Sequence, residues 1–105
     1  MEYIVIYCTV PNKKEGKEIA RVLVENEMAA CVNLIDKVES IFAWNGELNE
    51  EKEVMMIIKT RKSQFRNVNH TIQKMHSYNV PEVIAIPITE ADETYLKWID
   101  HETKE

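Results

Sequence analysis

The chain predicts an α+β fold, an antiparallel sheet with two helices on one face. Three observations carry this. Four runs rich in β-branched and aromatic residues are spaced along the sequence. Two stretches between them repeat apolar residues at helical spacing. One Asn-Gly pair, Asn45-Gly46, joins the second run to the third, and it is the strongest short-range hairpin signal because both turn positions need positive φ.

Each element follows in order. Tyr3 to Val10 (YIVIYCTV) reads as the first strand, ended by Pro11-Asn12. Asn12 with Glu15 three residues later has the form of a capping box, and Ile19, Val22 and Leu23 give a helix running to about Met28. Gly16 costs that helix about 1 kcal/mol against Ala, which marks it as a point of close packing. Ala29 to Ile35 is the second strand, continuing from Val38 to Trp44 after a polar kink at Asp36-Lys37. The return arm holds the polar Glu47 to Glu53, a protruding tip, and the apolar Val54 to Thr60, a central strand. Ser63 is placed to cap a second helix, with Phe65, Val68, Ile72 and Met75 as its apolar stripe. Pro81 forbids its continuation. Val83 to Ile88 is the last core strand, and Pro87 within it requires a bulge or a sheet edge. Thr89 and Asp92 read as a capping box opening a short final helix, with Tyr95, Leu96 and Ile99 facing inward. The order β-α-β-β-α-β plus a helical tail is the ferredoxin-like split motif.

Composition sets outer bounds. The 105 residues predict one domain, 1–105, with 45% hydrophobic and 30% charged residues. The net charge of −5 argues against nucleic acid, which needs a concentrated positive surface, and suits cations. No apolar run approaches the ~20 residues that cross a bilayer, and the N-terminus lacks the pattern of a signal peptide. The expected location is the cytoplasm, with Cys8 and Cys31 as reduced thiols.

The strands are apolar on both faces. Tyr3, Val5 and Tyr7 alternate with Ile4, Ile6 and Cys8, and Met55 and Ile57 with Val54, Met56 and Ile58. Two helices cover one face. Leaving the other wet would expose more than the ~300–600 Å² apolar patch usual on a monomer. The sequence therefore predicts that copies of the chain cover one another in a closed assembly.

The segments YCTVP, AACVNLI, SIFAWNGE, EVMMIIKT, HSYNVPEVIAIPI and YLKW together resemble the CutA family of divalent-cation tolerance proteins, across essentially the whole chain. The aromatic-Trp-x-Gly turn at Phe42 to Gly46 and the His-x-Tyr-x-x-Pro-Glu segment at His76 to Glu82 are the most specific parts. The resemblance implies a ferredoxin-like subunit in a homotrimer, similar in shape to the PII signalling proteins, cytoplasmic, and linked to copper or another divalent metal. The chain departs from the family pattern at Ser77, where members commonly have Pro, and at Ala91, where they have Gly. Met75 stands where some members carry a second His.

Two groups of residues are candidate sites. Cys8 and His76 offer a thiolate and an imidazole for copper or another divalent cation, and Met75 adds a soft thioether. Against this, Cys is among the most buried residue types, Met75 fits the helical stripe, and no C-x-x-C or H-x-x-x-H spacing encodes a closed site. The residue types weigh toward packing, with a weak or inter-subunit metal contact as the functional reading. The second group is Trp44, Lys59, Tyr78 and Glu82, which the resemblance to PII-like trimers places near clefts between subunits. They could line a small-metabolite pocket, with Lys59 facing an anion, or pair across an interface. The acidic run ELNEEKE offers weak attraction for divalent cations or simply a solvated tip. His70 and His101 are expected at the surface. No phosphate-binding or nucleophile motif is present, and no enzymatic activity is expected.

Overall fold

β1 (Tyr3–Val10) lies inside a four-stranded antiparallel sheet with β2 (Cys31–Trp44), β3 (Glu47–Arg61) and β4 (Ile84–Pro87), in the order β2-β3-β1-β4. The computed structural model describes residues 2–105. After β1 come α1 (Lys13–Glu25), β2 (Cys31–Trp44), β3 (Glu47–Arg61), a 3-10 turn (Lys62–Gln64), α2 (Phe65–Met75), β4 (Ile84–Pro87) and α3 (Glu93–Glu102). The predicted ferredoxin-like order is the observed one.

The core lies between one sheet face and α1 and α2. Ile4, Ile6, Cys8 and Val10 of β1 and Val54, Met56 and Ile58 of β3 meet Ile19, Leu23, Val68 and Ile72 of the helices. Each such side chain contributes about 1.5–3 kcal/mol on full burial. At Gly16, α1 packs tightly on the sheet. A Cβ there would stand 2.7 Å from Leu34 Cδ2 and 3.1 Å from Val10 Cγ2. The alternate residues Tyr3, Val5, Tyr7, Met55 and Ile57 face the other side and are half-buried.

β2 and β3 are paired from Cys31↔Lys59 to Trp44↔Glu47, interrupted by a bulge between Ile35 and Val38. Lys37 sits at the bulge with φ 62, the chain's Asp36-Lys37 kink. Asn45 (φ 52) and Gly46 (φ 77) close the hairpin with the left-handed pair that its twist demands. The tip expected at Glu47 to Glu53 is continuous strand. Because β1 stops opposite Val54, the hairpin runs on alone beyond that point.

Several local expectations are corrected. Asn12 does cap α1, accepting from the Glu15 amide at 2.9 Å, but Ser63 caps nothing. It lies inside the 3-10 turn, and α2 begins at Phe65 with no side-chain cap. The N-cap of α3 is Asp92, whose carboxylate accepts from the Tyr95 amide at 3.1 Å, not Thr89. Of its predicted inward residues Ile99 is fully buried, whereas Tyr95 is exposed. β4 is an exposed edge strand with no core position, as Pro87 permits.

α3 is tied to the end of β3 by polar contacts. Arg61 is buried, and its guanidinium donates to Thr103 Oγ1 (2.8 Å), Thr103 O (3.0 Å) and Asp100 O (2.6 Å). The Tyr3 hydroxyl donates to Asp100 Oδ2 at 2.7 Å. A charge this deep is tolerated because its donors are matched.

Candidate functional site

Where β1 ends, the loop from His76 to Glu82 turns around Thr9 and faces the unaccompanied part of the hairpin. The loop is held by His76. Its Nε2 meets Thr9 O at 2.8 Å, and its Nδ1 accepts the Tyr78 amide at 3.0 Å. An amide can only donate, so Nδ1 is the bare nitrogen and Nε2–H donates to the carbonyl. The imidazole side chain has no solvent-accessible surface. Glu15 clasps the same loop, accepting from Ser77 N (2.9 Å) and Ser77 Oγ (3.1 Å), with His76 Nδ1 at 3.4 Å. Sequence pattern assigned Glu15 to a capping box, and the local spacing carried no sign of this long-range contact.

Cys8 and His76 do come together, since Cys8 Sγ lies 3.8 Å from the same Thr9 carbonyl. As placed, neither is poised to receive a metal. Burial pushes the Cys8 thiol up to about 12, reinforced by the nearby charges of Glu82, Glu15 and Glu53. The thiol keeps its proton at neutral pH, and both imidazole nitrogens are already bonded. Met75 is 36% exposed at the end of α2. Among the described residues, no group of three or more His, Cys, Asp or Glu side chains is arranged to hold a metal ion.

Tyr78 carries the site outward. Its ring lies 4.6 Å from that of His76, and its hydroxyl donates to Glu53 Oε2 at 2.8 Å. Burial raises the phenol well above its ordinary range, with the Glu53 hydrogen bond as the next cause. Glu53, read from sequence as part of a solvated tip, is only 7% exposed. The signal available in advance was its position next to Val54, at the boundary between polar and apolar halves of the strand.

These residues wall a cleft of about 860 Å³, lined by Trp44, Tyr78 and Glu82 with Phe42, Glu51 and Glu53 among others. Three of the four predicted ligand-site residues meet here. Lys59 does not. It sits with its Nζ 6.0 Å from the Tyr95 ring, under α3. Its absence reverses the electrostatics of the predicted pocket, because among the described residues no Lys, Arg or His lines the cleft. Cys31 is half-buried, and His70 and His101 are exposed, as expected.

The family model described as CutA1 divalent ion tolerance protein matches residues 4–102. Protein CutA, chloroplastic, of Arabidopsis thaliana is 42% identical over 96% of this chain, which spans 56% of that protein's length. The divalent-cation tolerance protein CutA of Thermus thermophilus is 37% identical over 94% of the chain and 96% of its own length. The crystal structure of CutA1 from Oryza sativa superposes with a TM-score of 0.97 at 40% identity, covering 100% of this chain and 96% of that one.

Proposed function

Because the chain belongs to the CutA1 divalent ion tolerance family, we propose that it serves divalent-cation tolerance as a cytoplasmic homotrimer without catalytic activity. It would meet copper or another divalent cation through weak contacts with Glu51, Glu53 and Glu82 rather than through a Cys8–His76 centre. The observation that carries this reading is a cleft lined, among the described residues, by Glu51, Glu53 and Glu82 and by no basic side chain. Carboxylates spread along a strand and a loop attract cations without chelating them, in keeping with the lack of a three-ligand cluster among the described residues.

The trimer is supported by what the subunit leaves open. Ile35, Ile41, Trp44, Leu48, Ile84 and Ile86 are 44–76% exposed, and both outer strands, β2 and β4, have an unpaired edge within the subunit. Among the described residues, no helix is long and apolar enough to cross a membrane. A PII-like sensor for an anionic metabolite is the competing reading, and it loses its cation with Lys59.

Calorimetric titration of metal-stripped protein with Cu(II), Cu(I) and Zn(II) tests the assignment. Weak binding that falls in a Glu53→Gln/Glu82→Gln protein and is unchanged in Cys8→Ser is the expected result. Tight stoichiometric binding abolished by Cys8→Ser or His76→Ala would overturn it.

A further inference from the structure

We propose that the corner built from Glu15, His76, Ser77 and Tyr78 is a proton-operated latch on the loop from His76 to Glu82. The His76 side chain has no accessible surface even in the single subunit. The latch therefore needs no open face and works the same whatever other copies of the chain cover.

Its state is set by one nitrogen. Nε2–H donates to Thr9 O at 2.8 Å, a bond that the neutral ring and the imidazolium make alike. Nδ1 differs. It accepts the Tyr78 amide at 3.0 Å, which it can do only while it carries no proton. A proton on Nδ1 would turn two N–H donors on each other and leave the Tyr78 amide without its acceptor. The new donor has an acceptor within reach, because Glu15 Oε2 lies 3.4 Å from Nδ1. That oxygen now holds the Ser77 amide (2.9 Å) and the Ser77 hydroxyl (3.1 Å). An imidazolium would compete with both, and its charge-assisted bond is the stronger. The exchange frees the turn at two successive residues, Ser77 and Tyr78, while Thr9 keeps the ring. Tyr78 carries the release outward, since its ring lies 4.6 Å from His76 and its hydroxyl donates to Glu53.

The charges around the corner suit a cationic ring. Glu15 on α1, Glu53 on β3 and Glu82 in the loop bear on Cys8, and Glu51 of β3 joins Glu15 and Glu53 in bearing on Tyr78. β1 supplies only the neutral Cys8 thiol. Lys74, the basic residue in the last turn of α2, is exposed. His76 is also the C-cap of α2, the end of a helix that favours positive charge. Burial works the other way, since it penalises any charge on the ring. The imidazolium is therefore accommodated as the loop loosens, which ties protonation to opening.

The test uses the full chain, isotopically labelled and stripped of metal, so that its result is separate from the cation reading. NMR follows the His76 ring nitrogens and the Tyr78 amide from about pH 8 to about pH 5, the range in which histidine changes charge. The expected result is one shared midpoint, with the Tyr78 amide losing its hydrogen bond as the ring gains its proton. The exposed His70 and His101 should titrate without moving that amide. Glu15→Gln keeps an acceptor oxygen but removes the charge, and it should move the shared midpoint to lower pH. A Tyr78 amide that keeps its bond through ring protonation would overturn the proposal. So would a ring that stays neutral until the whole chain unfolds, or a midpoint untouched by Glu15→Gln.

Discussion

His76 shows how a side chain that invites a catalytic or metal reading can be spent on architecture. Each ring nitrogen is hydrogen-bonded, and together these bonds fix the turn that presents Tyr78 to Glu53. Tyr78→Phe should cost about 1.5 kcal/mol, the scale of a hydrogen bond to a charged acceptor, measured by denaturant unfolding. Cys8 carries a pH prediction. Its folded value of about 12 lies above the ordinary 9.0, so its contribution is intact below pH 9 and is lost as pH rises toward 12. Tyr78, raised from 10.0, adds to the loss above pH 10. Stability measured against pH should fall above pH 9, and Cys8→Ser should remove the earliest part of that slope. Native protein should also resist alkylation at Cys8 near neutral pH, because the thiolate is the nucleophile. Rapid modification there would contradict the burial described.

At the scale of elements, the hairpin is the feature on which the cleft depends. β3 outruns β1 beyond Val54, and only that overhang gives Glu51 and Glu53 a free face for the loop to approach. Its turn holds Asn45 and Gly46 at positive φ, where a Cβ on Gly46 meets no neighbour but the backbone itself resists an L-residue. Gly46→Ala should therefore cost about 1–2 kcal/mol through backbone conformation alone, read as a shift in denaturation midpoint. The element types were legible beforehand because period, turn pair and prolines are local signals. Helix starts were less so. Ser63 looks like a cap, but a 3-10 turn intervenes before α2, with Gln64 and Val68 buried on either side of the helix start.

For the whole molecule, the exposed Ile84, Ile86 and Trp44 and the two open strand edges argue that the subunit is incomplete alone. Sedimentation of dilute protein should give a species of three times the 12.3 kDa chain mass. Ile86→Asp, placed on the uncovered edge strand, should shift it toward monomer while the core between sheet and helices stays folded. A stable 12.3 kDa wild-type species would sink the assembly argument.

The sequence by itself determined the order of elements, the hairpin, the helix-facing core and the double-sided apolarity of the strands, because each is written in spacing between near neighbours. The tertiary structure alone decided the site. It engaged both nitrogens of His76, drew Glu15 across to Ser77, buried Glu53 under Tyr78 and sent Lys59 beneath α3. Apart from the Tyr78 amide on His76 Nδ1, these partners lie far apart along the chain. Which charges share a cleft, and therefore the sign of what it attracts, is a matter of three-dimensional distance that no local pattern carries.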